Sequence, residues 1–291
     1  MMRAPGRPVK RRLPARPARC LIPAMRRRVI TLLTDFGREG PYAGEVAGVL
    51  LSRAPEATLC EISHEVAAHD VREGAFVLAA AAFSFPRGTV HLAVVDPGVG
   101  TARRALAMAA GGHLFVAPDN GLLTLAARRA GGPVEVREVA AAALAAPRPH
   151  PTFHGRDLFA PVAAALACGL PLEDVGPPCP DWIRLPGCEP EERPDGRLVL
   201  PVLHVDRFGN VAFGLTRADA ARIWPGLFSP PIHPESADGP APFVRTYGEA
   251  ARGQLCLLWG SSGYLEAAVR EGRADTRLGV RPGDRVPFIR R

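Results

Sequence analysis

The chain has 291 residues, 47% of them hydrophobic, with 31 prolines and 30 glycines, enough apolar material for one large core or two modest ones joined by many loops. Its net charge of +7 does not mark a folded nucleic-acid module: residues 1–28 hold ten basic side chains and no acid, leaving 26 basic against 29 acidic groups, a net −3, over residues 29–291. Six cysteines (Cys20, Cys60, Cys168, Cys179, Cys188, Cys256) without a C-x-x-C pair exclude a zinc ribbon or redox dithiol and fit a reducing cytoplasm, and no apolar run reaches the ~18 residues of a membrane span.

Residues 1–28 are rich in Pro and Arg and lack periodicity, so a disordered basic tail is expected there. It reads as an anion-binding arm, as a targeting segment, or as residues upstream of a start at Met25. Val29–Leu33 is a short apolar strand that runs into Thr34-Asp35-Phe36-Gly37. A helix follows over Tyr42–Ala54, then a strand over Ala57–Ile62. Asp70 is placed to cap a helix from Val71 to about Phe83, which Pro86 ends. Residues 89–95 are a buried strand, Ala105–Ala109 and His113–Val116 two more, and Asp119-Asn120-Gly121 opens a helix over Leu122–Arg129. Thr152 to Asp157 leads into an apolar helix that runs to Cys168.

This alternation predicts an N-terminal α/β domain over 29–176 with a mostly parallel sheet. Residues 177–196 are dense in Pro, Gly and acid and read as a linker. Beyond it, Leu198–Val205, Val211–Leu215, Gln254–Trp259 and Arg285–Ile289 read as strands with few helices between. A smaller β-rich, barrel-like C-terminal domain over 197–291 accounts for them.

The most informative stretch is Val95-Asp96-Pro97-Gly98-Val99-Gly100-Thr101-Ala102-Arg103-Arg104. A carboxylate at the end of a buried strand, then a Pro-Gly-x-Gly turn and two arginines, stands at the sheet edge where open α/β folds bind ligands. Asp96 and Arg103 either close the turn as a salt bridge or face one cavity together. Thr34-Asp35-Phe36-Gly37 holds the D-F-G tripeptide of kinases, but the only lysine is Lys10 and no H-R-D is present. Asp35 is either a turn cap or a contact to ribose hydroxyls, and without a G-x-G-x-x-G there is no dinucleotide pyrophosphate site.

His154, flanked by Phe153 and Gly155-Arg156-Asp157, is a structural histidine or one that orients a water and its proton. His91, His113 and His150 lack i,i+4 partners, which argues against a metal cluster. In the second domain Asp206, Phe208 and Asn210 bring a carboxylate, an aromatic face and an amide within five residues. They form a turn, or they read an amino group and a purine edge. Ser261 in Ser261-Ser262-Gly263-Tyr264-Leu265-Glu266 is equally open.

Taken in order, T-D-F-G, V-V-D-P-G-V-G-T-x-R-R, A-P-D-N-G-L, F-H-G-R-D, D-x-F-G-N and S-x-x-Y-L-E resemble the adenosine-forming S-adenosyl-L-methionine (SAM) hydrolases. These are also called SAM hydroxide adenosyltransferases and are relatives of fluorinase and chlorinase. The resemblance runs from about Val29 to Ile289. It implies hydrolysis of SAM to adenosine and L-methionine without a metal or other cofactor. It also implies a homotrimer whose active sites lie between one subunit's N-domain and a neighbour's C-domain. Residue by residue, it carries the family's catalytic triad onto Asp96, Arg103 and His154, the ribose contact onto Asp35, and the methionine and adenine contacts onto Asp206, Phe208, Asn210 and Ser261. Two alternatives stand beside it: a SAM-dependent halogenase, which resembles the chain in the adenosine motifs but has a small residue where His154 stands, and a SAM- or adenosine-binding protein without turnover. Nucleic-acid binding would rest on the tail alone.

Overall fold

The computed structural model describes residues 28–140, 144, 149–225, 232–237 and 241–290. The tail expected over 1–28 lies outside these residues except for Arg28, which opens the first strand. The first half is built from β1 (Arg28–Thr34), α1 (Tyr42–Arg53), β2 (Ala57–Ser63), α2 (Val71–Ala82) and β3 (Val90–Val94). It continues through β4 (Ala105–Ala110), β5 (His113–Pro118), α3 (Thr124–Ala130) and β6 (Val134–Glu138). A single π-helical turn, Gly155–Phe159, then feeds α4 (Ala160–Ala167).

The sheet order is β2-β1-β3-β5-β4-β6. β1 runs parallel to β2 and β3, and β3 parallel to β5, while β4 is antiparallel to β5 and β6. β3 is buried at every position, as a strand covered on both faces must be. Alternate side chains sort to the two sides: Ile30, Leu32, Leu92 and Val94 pack with Val46 and Leu50 of α1 and Val162 of α4, while Leu33, Ala93 and Val95 pack with Phe76 and Leu78 of α2 and Leu125 of α3. The Asp70 side chain caps α2 by accepting from the Glu73 amide at 2.9 Å.

Because the chain leaves β1 toward β2 and returns on the other side of it as β3, the strand order reverses between β1 and β3. Ligands of open α/β sheets bind at such a reversal, beyond the carboxyl ends of the strands. Asp35 follows β1 and Asp96 lies just past β3, and Thr34 is paired in register with Val94. The topology thus sets both carboxylates at the reversal point.

One polar chain runs through the α2/α3 side of this sheet. Thr31 Oγ1 lies 2.7 Å from His91 Nδ1, and His91 Nε2 lies 3.2 Å from His113 Nδ1. Burial and the neighbouring imidazole push the His91 pKa down to about 3, so its ring is neutral at physiological pH, and burial and Arg87 lower that of His113 as well. Among the described residues no group of three or more His, Cys, Asp or Glu side chains is arranged to hold a metal ion.

The second half comprises β7 (Glu191–Glu192), β8 (Leu198–Val205), β9 (Val211–Thr216), α5 (Arg217–Ile223) and β10 (Ile232–Pro234), then β11 (Leu255–Trp259), β12 (Tyr264–Val269), α6 (Ala274–Leu278) and β13 (Arg285–Arg290). Its sheet order is β10-β13-β8-β9-β12-β11, with β7 beside β8, and these strands pair antiparallel. The barrel-like sheet wraps Leu200, Phe213, Leu257, Leu265 and Phe288. α5 begins with a reciprocal cap between Thr216 and Asp219.

Of the expected linker 177–196, residues 177–190 connect the halves as a packed strap, and Glu191–Glu192 already pair with β8 of the second sheet. Cys179, Trp182 and Cys188 are buried against α2 and α3, and the Leu185 amide donates to Thr124 Oγ1 at 2.8 Å. The second half docks on the same side: Leu203, Ala212 and Tyr264 join that core, His204 stacks on Phe76 at 4.9 Å, and Arg128 pairs with Asp219. Among the described residues no helix is long and apolar enough to cross a membrane.

Candidate active site

The turn between β3 and β4 is held across its mouth by charge. Arg103 Nε donates to Asp96 Oδ1 at 2.8 Å and to Oδ2 at 3.0 Å, and its Nη2 also donates to Oδ2. The two side chains are only 9% and 5% exposed, so solvent screens this pair weakly. The guanidinium carbon sits 4.9 Å over the Phe159 ring, an added cation–π contact. Gly100 makes the turn possible: its φ is +78°, and a Cβ there would lie 2.9 Å from the Pro151 carbonyl oxygen.

His154 enters from the other side. It precedes the π turn, a helical irregularity often used to aim a functional side chain, and Gly155 lets the Phe36 and Phe153 rings close in behind it, 3.2 and 3.3 Å from where a Cβ would stand. Arg103 Nη2 lies 2.9 Å from His154 Nδ1. A guanidinium carries donors and no acceptor, so Nδ1 accepts this bond. The ring is then neutral with its proton on Nε2. Its pKa is shifted in the same sense: burial lowers it first and Arg103 second, against an opposing pull from Asp96 and Asp157. Asp96, Arg103 and His154 therefore form one connected group, and the salt bridge and the shared site are the same contact.

Asp35 follows β1, whose last residue is in register with Val94 of β3. Its Oδ2 accepts from the His69 amide at 2.9 Å, and His69 holds the left-handed backbone at φ +67°. Thr34 Oγ1 accepts from the Phe36 amide at 3.2 Å and meets His64 Nδ1 at 2.8 Å, which fixes the loop. Phe36, Tyr42 and Phe153 stack edge to face, with centroids 5.3 to 6.1 Å apart. They form an aromatic wall behind His154, from which half of Tyr42 is exposed.

The second-domain residues gather elsewhere. Asp206 Oδ1 accepts from the Phe208 and Asn210 amides and its Oδ2 from Asn210 Nδ2, all at 2.9 Å. The carboxylate thus shapes its own loop, which is the turn role open to it from sequence. Phe208 is left 69% exposed. With Asn210 it lines a cleft of about 540 Å3 completed by Tyr247, Val269, Arg270, Glu271 and Gly272. The last five were not singled out from the sequence. Their available signal was the Glu271-Gly272 turn after β12, where Glu271 takes φ +58°. Tyr247 is braced by its hydroxyl, which donates to Glu266 Oε1 at 2.6 Å. Ser261 is exposed in the β11–β12 turn and is not among the residues lining this cleft. Among the described residues no hydrogen bond, ion pair or ring contact joins Asp96, Arg103 or His154 to the Phe208 cleft.

A charged group with a histidine at the reversal point of an α/β sheet, joined to an antiparallel domain with an aromatic cleft, defines a two-domain protein of the mixed α/β class. Comparison with known proteins gives the particular family. Residues 30–176 match the SAM hydroxide adenosyltransferase N-terminal domain and residues 200–287 its C-terminal domain. The chain belongs to the SAM hydroxide adenosyltransferase family. An (R)-S-adenosyl-L-methionine hydrolase from Salinispora arenicola (strain CNS-205) is 43% identical over 259 residues, covering 88% of this chain and 96% of that protein. A fluorinase from Nocardia brasiliensis (strain ATCC 700358 / HUJEG-1) is more distant, 29% identical over 80% of this chain and 90% of its own length. The crystal structure of an uncharacterized conserved protein from Thermotoga maritima matches with a TM-score of 0.79 at 36% identity, covering 90% of this chain and 100% of that one. The family expected from the ordered motifs is the family found.

The Arg103–His154 contact can be tested without substrate. In Arg103→Ala the His154 pKa rises, because the donor that occupies Nδ1 and the positive charge beside it are both removed. NMR titration of the imidazole reads this directly; an unchanged or lower pKa contradicts the contact.

Proposed function

We propose that this chain hydrolyses S-adenosyl-L-methionine to adenosine and L-methionine, and that its substrate is the (R) form named for its relative from Salinispora arenicola. The observation that carries the reading is the closed Asp96–Arg103–His154 group at the end of β3, in a chain that carries both domains of the family.

In this reaction a water oxygen attacks C5′. The C5′–S bond breaks with its electron pair passing to sulfur, and the sulfonium leaves as a neutral thioether. The leaving group needs no acid, and the step as proposed calls on no metal or redox cofactor. The demand falls on the water, which must be aimed and must lose a proton.

The three side chains divide that work by their chemistry. Arg103 has no acceptor, and His154 Nδ1 already accepts from it. The Asp96 carboxylate retains lone pairs beyond those that Arg103 occupies, so it is the group that takes the water's hydrogen. His154 offers Nε2–H, which binds one lone pair of the water and leaves the other directed at C5′. In this account His154 orients and polarises the water, and Asp96 accepts its proton. Asp35 holds the ribose hydroxyls, as a carboxylate at this strand end is suited to do.

Phe208 and Asn210 would hold the adenine, stacking on its face and reading its edge, while Asp206 and Ser261 would meet the methionine end. Phe208 is largely exposed, and among the described residues the cleft has no contact with the triad. Both facts support a site in which the cleft of one subunit completes the triad of its neighbour; the count of three subunits follows from the family resemblance alone.

Incubation with SAM, with and without chloride or fluoride, yields adenosine and methionine in every case. A 5′-halogenated adenosine would instead assign the chain to the halogenases, and no turnover would leave a binding protein. His154→Ala keeps SAM affinity and loses about 10²-fold or more in kcat, whereas Asp35→Ala raises the Kd for adenosine. Unchanged turnover in the first, or unchanged affinity in the second, removes that residue from its role.

Shared sites predict complementation. His154→Ala and Asn210→Ala subunits, each strongly impaired alone, regain activity when co-assembled, because one interface then pairs an intact triad with an intact cleft. Co-assembled proteins that stay inactive contradict the shared site.

A further inference from the structure

The Asp119-Asn120-Gly121 motif opens no part of the proposed site, yet the structure gives it a task. β5 lies between β3 and β4 in the sheet, so the 95–104 connection must pass over the end of β5. Residues 119–121 follow β5 directly, beneath that crossing.

Asn120 Nδ2 donates to the Val95 carbonyl at 2.8 Å, immediately before Asp96, while its Oδ1 accepts from the Leu122 amide at 3.2 Å. Asp119 holds the other end. Its Oδ2 accepts from Arg104 Nε at 2.8 Å, and its amide donates to the Arg104 carbonyl at 2.9 Å, immediately after Arg103. The carboxylate is 2% exposed, and its Oδ1 takes the Ile183 amide of the strap at 2.7 Å. Gly121, at φ +96°, lets Leu185 of the strap close in where a Cβ would stand 2.7 Å from it. Two adjacent side chains thus grip the residues on either side of the Asp96–Arg103 turn.

We infer that Asp119 and Asn120 are positioning residues for the reaction: they set the spacing and direction of Asp96 and Arg103 from outside the site. The inference rests on the reading of Asp96, Arg103 and His154 as the water-handling group. Inside the turn the backbone bonds are local, from Val99 to Asp96 and from Thr101 to Gly98, so they preserve its shape without anchoring it to the sheet. Positions 119 and 120 anchor both flanks, and Arg104 also reaches the strap, its Nη1 donating to Asp181 Oδ1 at 2.9 Å and its Nη2 to the Asp181 carbonyl at 3.1 Å. A displacement near 1 Å at a reacting group can cost about 10²-fold in rate, and loss of one anchor is enough to allow such a shift.

The test is a kinetic cycle on the full chain, with SAM as the probe. Asn120→Ala and Asp119→Asn are measured alone and on a His154→Ala background, with circular dichroism and melting temperature as folding controls. Each single variant is expected to lower kcat about 10- to 100-fold with KM within about threefold. On the His154→Ala background the further loss shrinks to about twofold or less, because the anchors then have no triad left to aim. The milder Arg104→Lys, which keeps the charge and gives up the forked contact, lowers kcat in the same direction and reads the effect if the other two fail to fold.

Wild-type kcat in folded variants overturns the inference while leaving the triad reading in place. So does a loss of equal size on both backgrounds, which is the behaviour of a purely structural role. Full turnover in His154→Ala alone overturns the triad reading itself, and the inference with it.

Discussion

The Asp96–Arg103 contact is the constraint on which the rest of the site depends. Two opposite charges, 5% and 9% exposed, sit where neither is tolerated alone. Removing one partner of such a pair leaves an uncompensated buried charge, at a typical cost of about 3–5 kcal/mol. The pair thereby closes a glycine-rich turn that has few other ties, and it fixes the state of a third group. Because Arg103 can only donate, His154 must accept, and its ring is held neutral with one proton in a defined place. A single ion pair therefore sets turn geometry, tautomer and electrostatics together.

The sheet topology delivers these charges to one place. Reversal between β1 and β3 puts the ends of two adjacent parallel strands side by side, and the loops that leave them carry Asp35 and Asp96. The same arrangement leaves α1 and α4 on one side and α2 and α3 on the other. The strap and the second domain take the α2/α3 side, while the π turn that aims His154 belongs to the α4 side. Among the described residues no contact joins the aromatic cleft to the charged turn, the observation on which the proposal of a shared site rests.

Much of the fold could be read from sequence because local signals and tertiary packing agree there. The buried strands over 90–94 and 198–205 are apolar at nearly every position, β1 carries an unbroken buried run from Ile30, and Asp70 caps its helix as its side chain suggests. The misses have physical causes. β6 alternates valine with charge at an edge where two of five positions are exposed, which resembles a polar loop. β12 follows a serine-glycine turn and was read with it, and α5 and α6 are too short, at seven and five residues, for a helical period to show. The helix after the Asp119-Asn120-Gly121 motif starts at Thr124 instead of Leu122, because Asn120 and Gly121 hold the preceding residues in a turn.

The site divides along the same line. Asp35, Asp96, Arg103 and His154 announced themselves by residue type beside strand ends and glycines. Which partners they choose is a tertiary fact, and so is the use of Asp206 oxygens within their own loop. Tyr247 and residues 270–272 meet Phe208 only through the curl of the second sheet, and no spacing along the chain could reveal that meeting.

In the proposed reaction this group delivers a water oxygen to C5′ of the substrate. Turnover of SAM in oxygen-18 water, followed by mass spectrometry of both products, follows that oxygen. One oxygen-18 atom is expected in the adenosine and none in the methionine. Adenosine formed without label, or label found in an amino-acid product, would contradict it.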